Sequence, residues 1–67
     1  MLLSKSEAER ECVRRWRELP RSERSTPAQA DSFATLLLEQ IDFATSGDRA
    51  HFIRAWLQRD LQLRGRL

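Results

Sequence analysis

Ser32-Phe33-Ala34-Thr35-Leu36-Leu37-Leu38-Glu39-Gln40-Ile41-Asp42-Phe43-Ala44 is the densest apolar stretch of the sequence. At 100° per residue, Ala30, Phe33, Ala34, Leu37, Leu38, Ile41 and Ala44 share one broad helical face. Leu36 and Phe43 form a second stripe on the flank, and Asp31, Thr35, Glu39 and Asp42 line the polar side. A helix with two apolar stripes touches neighbours on two sides, so this stretch reads as the middle of a central helix in an all-α fold. In a monomer the second stripe meets another helix of the same chain. In a homodimer Leu36 and Phe43 would be the seam. The monomer is preferred.

The start of this central helix is marked locally. Thr26 is a good N-cap, Pro27 suits the first helical position, and Gln29 completes a capping box. The periodicity carries the helix over residues 27–44. Thr45-Ser46-Gly47 then breaks the pattern, with Ser46 or Asp48 as the next cap. A third helix is expected over 48–64, with Ile53, Trp56, Leu57 and Leu61 on its core stripe and Gly65 as its stop.

Before the central helix, Ala8, Cys12, Trp16 and Leu19 recur at helical spacing and predict a first helix over 5–19. Ser4 and Glu7, or Ser6 and Glu9, match a capping box at its start. Opposite the apolar stripe, Glu7–Arg10, Glu11–Arg15 and Arg14–Glu18 stand at ion-pair spacing. Pro20 ends the helix, and residues 20–25 form a short polar connection. Short connections favour antiparallel neighbours. The fold class is therefore a small three-helix bundle, expected as a single domain over residues 1–67.

At 67 residues there is one modest core, which rarely supplies more than about 3–5 kcal/mol. The one cysteine, Cys12, and the one histidine, His51, leave neither an intrachain disulfide nor a Cys/His zinc framework. No metal and no cofactor are expected. No run nears the ~20 apolar residues of a membrane span. A single thiol, and an apolar start of only Met1-Leu2-Leu3, point to the cytoplasm.

Charge is distributed unevenly. Residues 1–25 carry +2, residues 26–48 carry −4 with no base at all, and residues 49–67 carry +4 through five arginines. On the third helix, His51, Arg54, Gln58, Arg59, Gln62 and Arg66 fall on one arc that no carboxylate of that helix interrupts. Guanidinium and amide groups suit an acidic protein surface, where arginine is a frequent hot-spot residue. They also suit phosphates and base edges. The expected function is a small non-enzymatic protein-binding module, an accessory, inhibitor or regulator, docking through this arc. The alternative is a small nucleic-acid-binding regulator using the same arc.

A helix-turn-helix register centred on Gly47 puts Asp42 where an apolar residue is needed and bulky Phe43 where a small one is needed. It is not preferred. Catalysis is not expected either. Ser46, Asp48 and His51 crowd one turn at spacings that suit capping rather than a nucleophile aligned to a base. Cys12, Trp16 and Trp56 lie on core stripes. Asp60 breaks the apolar arc of the third helix. It is placed at the edge of the bundle, or else it meets an arginine from the first helix. The edge is preferred.

Overall fold

A computed structural model describes residues 2–64. Its elements are α1 (Lys5–Arg17), a single 3-10 turn (Arg21–Glu23), α2 (Pro27–Gln40) and α3 (Arg49–Arg64). The chain is a compact three-helix bundle, as the periodicity predicts. The contacts place the helices against one another. Lys5 meets Phe52 and Arg17 meets Asp60, so α1 and α3 advance together. Asp31 meets Gln58 while Phe43, just past α2, meets Trp56, so α2 packs against the middle of α3.

Each helix starts at the residue its capping chemistry selects. At α1, the Glu7 N–H donates to Ser4 Oγ at 3.1 Å and the Ser4 N–H donates to Glu7 Oε1 at 3.0 Å. Accepting that backbone N–H, and bonding the Ser4 side chain, lowers the Glu7 pKa. Thr26 and Gln29 make the same reciprocal pair at α2, at 3.2 and 2.9 Å. At α3 the choice falls on Asp48, whose Oδ1 accepts from the Ala50 N–H at 3.0 Å. Such caps satisfy the orphan donors of a first turn.

Two helix ends differ from expectation. α1 stops at Arg17 with Glu18 as its C-cap. α2 stops at Gln40, not at residue 44, and Ile41 is already extended. From there Ile41 and Phe43 point inward and are buried, while Asp42 and Ala44 point outward. The extended piece is held by the N-terminus. The Leu3 N–H donates to Asp42 O at 3.0 Å and the Ala44 N–H donates to Leu3 O at 3.4 Å, as one parallel bridge. The backbone groups that a longer α2 would have satisfied internally find this partner instead.

The core joins Ala8, Cys12 and Trp16 of α1 to Ala30, Ala34 and Leu37 of α2 and to Ile53, Trp56 and Leu57 of α3, with Ile41 and Phe43 between. Aromatic contacts connect the elements. Trp16 meets Phe33 at 5.8 Å between ring centroids, Phe43 meets Trp56 at 5.4 Å, and Phe52 stacks on Trp56 at 6.2 Å. The Lys5 ammonium lies 3.8 Å above the Phe52 ring. Gly47 approaches the same ring so closely that a Cβ there would sit 2.9 Å from Phe52 Cε2. Replacing Gly47 by alanine must therefore shift the Phe52 ring, which lies between Lys5 and Trp56. The expected loss is about 1 kcal/mol, read from the urea midpoint. An unchanged midpoint would mean that the ring swings aside freely.

Cys12 is wholly buried, and burial pushes its thiol up from 9.0 to about 11. Little thiolate is then available near pH 8, so a thiol reagent should label the folded chain slowly and the urea-unfolded chain fast. Rapid labelling of the native state would contradict the burial. The folded chain also holds the thiol proton more tightly than the unfolded one. Its contribution is intact below about pH 9 and is lost as pH rises towards 11.

Candidate protein-docking surface

α3 presents one side to α1 and α2 and the other to solvent. Ile53, Trp56 and Leu57 anchor it in the core, so the opposite ridge is held rigidly. His51, Arg54, Ala55, Arg59 and Gln62 are exposed on that ridge and Gln58 is half-buried. Arg66 lies outside the described residues, as does Gly65, the expected helix stop.

The arc has no acid of its own, yet its neighbours supply two. Gln58 Nε2 donates to Asp31 Oδ1 of α2 at 2.8 Å. Arg59 donates to Glu9 Oε2 of α1 at 2.9 Å. These two contacts flank the ridge, one on each side. Arg54 lines a shallow depression with Asp31, His51, Ala55 and Gln58, but it makes no ion pair among the described residues. The His51 ring sits edge-on to Phe52 at 6.0 Å. The arc is therefore partly tied into the bundle, with Arg54, His51 and Gln62 the members that reach solvent with no hydrogen bond to another helix.

Leu36 and Phe43 do not share a face. Leu36 stays on α2 and is 53% exposed, beside a groove with Leu19, Ala28 and Phe33. Phe43 lies beyond the helix end and is 2% exposed, inside the core. With α2 ending at Gln40, the helical register that would join them does not exist, so they make no common seam.

Asp60 is the second correction. It is 5% exposed and not at an open edge. Arg17 of α1 donates to its Oδ1 from Nη2 at 2.6 Å and from Nε at 3.0 Å. An arginine from the first helix thus explains a carboxylate in an apolar arc: the charge is buried because it is paired and hydrogen-bonded.

This pair forms one wall of a cleft between α1 and α3 that no single-helix pattern reveals. Val13, Trp56 and Leu63 give it an apolar floor, and Arg10, Arg14, Arg17 and Arg59 stand around it. Arg10, Arg14 and Arg17 follow at helical spacing on α1, the one local signal of the cleft. Arg14 bridges Glu11 and Glu18, and Arg15 also bonds Glu11. Accepting from Arg14 and Arg15 lowers the Glu11 carboxyl to about 2 and raises the Arg14 pKa.

Among the described residues no three His, Cys, Asp or Glu side chains gather to hold a metal ion, and no helix is long and apolar enough to cross a membrane. No protein-family model matches this chain, nor does any curated protein or solved structure.

Proposed function

We propose that this chain is a small non-enzymatic protein-binding module, an accessory, inhibitor or regulator, that docks on another protein through the basic side of α3. The supporting observation is the pairing of rigidity with exposure. Arg54 and Arg59 project from a helix whose other side is locked in the core, and Arg59, at 65% exposed, is held only by a surface pair to Glu9. Ordering such side chains on binding carries little backbone cost, and arginine presented this way is a common hot spot. A single buried cysteine, Cys12, suits a reducing compartment, and we place the protein in the cytoplasm.

Charge reversal at both positions, Arg54→Glu with Arg59→Glu, tests this reading. Arg54 makes no ion pair among the described residues and the Arg59–Glu9 pair is exposed, so the doubly substituted chain should stay folded by circular dichroism. It should lose its partners in a pull-down from lysate. An unchanged set of partners in a folded variant would remove α3 as the docking face. Nuclease treatment of the same lysate separates the nucleic-acid alternative, whose binding would also fall steeply with salt.

A further inference from the structure

The α1–α3 cleft has a composition that specifies its occupant. Its floor is apolar and incomplete. Trp56 contributes only an edge, since its ring packs on Phe43 and Phe52. Leu63 is 62% exposed beside it. Three carboxylates stand among the four guanidiniums, and they are not equivalent. Asp60 is buried against Arg17, so that pair is structural wall. Glu9 and Glu18 belong to rim pairs, with Arg59 at 2.9 Å and Arg14 at 3.0 Å, in which neither partner is buried. Exposed pairs of this kind are worth about 0–1 kcal/mol. Carboxylates from another molecule can therefore take the place of Glu9 on Arg59 and of Glu18 on Arg14 with little loss, while Arg14 keeps its pair with Glu11. Arg10 makes no ion pair among the described residues, which leaves the rim net basic.

We propose that this cleft docks an acidic amphipathic helix of a partner protein, with a large aliphatic side chain on Val13, Trp56 and Leu63 and carboxylates against Arg10, Arg14 and Arg59. Charge complementarity selects the acidic flank, because a basic segment would meet like charge on both rims. The floor selects the aliphatic anchor. The walls select a helix, because two packed helices offer no strand edge to an extended peptide but do offer a groove for side chains at i, i+3 and i+4. A nucleic acid fits less well, since Trp56 is too buried to stack on a base.

The proposal rests on the protein-docking reading above, and it adds the partner's chemistry and moves the anchor from the α3 ridge into the cleft. The test uses the isotope-labelled chain and two synthetic helical peptides. Both carry leucines at i, i+4 and i+7; one has flanking glutamates and the other flanking lysines. The glutamate peptide should shift the Val13 and Leu63 amides and the Trp56 indole N–H, and the lysine peptide should not. Arg10 makes no ion pair among the described residues and Leu63 is 62% exposed, so Arg10→Glu and Leu63→Ser should both fold, and each should weaken the glutamate peptide roughly tenfold or more. Equal binding of both peptides, or no shift at all with the glutamate peptide, overturns the proposal. Shifts confined to His51, Arg54 and Gln62 overturn the cleft but keep the docking reading. If the pull-down with the Arg54 and Arg59 variant is also unchanged, both fail.

Discussion

Replacing Phe43 by alanine is expected to unfold most of the population. Its ring is a core component although it lies in a connection, at 2% exposure and 5.4 Å from the Trp56 ring. Phenylalanine-to-alanine changes in a core cost about 3–5 kcal/mol, through lost transfer free energy and the cavity left behind. A domain of this size has about the same amount in total. The rest of the extended piece 41–44 is held by the buried Ile41, by two backbone hydrogen bonds to Leu3 and by an exposed pair of Asp42 with Arg49, so the ring supplies most of its apolar anchoring. Urea unfolding followed by circular dichroism measures the effect. A loss under about 1 kcal/mol would be too small for any core aromatic. It would return Phe43 to the flank of a longer α2, where a partner rather than Trp56 would cover it.

Trp16→Ala should be comparably severe. Trp16 is the largest of the fully buried side chains, and it links α1 to α2 through its contact with Phe33 at 5.8 Å. α1 otherwise contributes small residues to the core, Ala8 and Cys12. Without the indole, α1 has little apolar surface to bury. Its capping box and surface ion pairs add only about 0.2–0.5 kcal/mol per ion pair and roughly 1 kcal/mol for the cap. The expected loss is again about 3–5 kcal/mol. Trp16→Phe should retain much of the stability, because an aromatic ring still reaches Phe33. Thermal unfolding of the two variants checks both statements. Equal melting temperatures would mean that α1 docks through something other than this ring.

What could be read from sequence was what is local. Thr26 with Gln29 marks the start of α2, and the starts of α1 and α3 narrow to Ser4 or Ser6 and to Ser46 or Asp48, because a cap is complete within four residues. The end of α2 was not legible in the same way. Ile41 and Phe43 fit a helical face and also fit alternation, and Ile41-Asp42-Phe43-Ala44-Thr45 has the β-branched and aromatic content of a strand. What decides between them is Leu3, which offers backbone partners from the far end of the chain. Asp60 stood out as an anomaly, but its explanation is a side chain on another helix. The arc on α3 lacks acids only along its own helix; Glu9 and Asp31 arrive from α1 and α2. The cleft is invisible for the same reason, since its floor needs Val13 and Trp56 brought side by side.

The bridge between Leu3 and Phe43 also sets an order of events. Its two sides lie at opposite ends of a segment that contains both α1 and α2, so it rewards the chain only after those helices have come together. Closing so long a loop earlier would spend entropy with no packing in return. The Leu3 amide is therefore expected to form its hydrogen bond at the end of folding and to give it up at the start of unfolding. Its exchange with solvent deuterium should report the first opening of the molecule, and the amides of Trp16 and Leu57 the last.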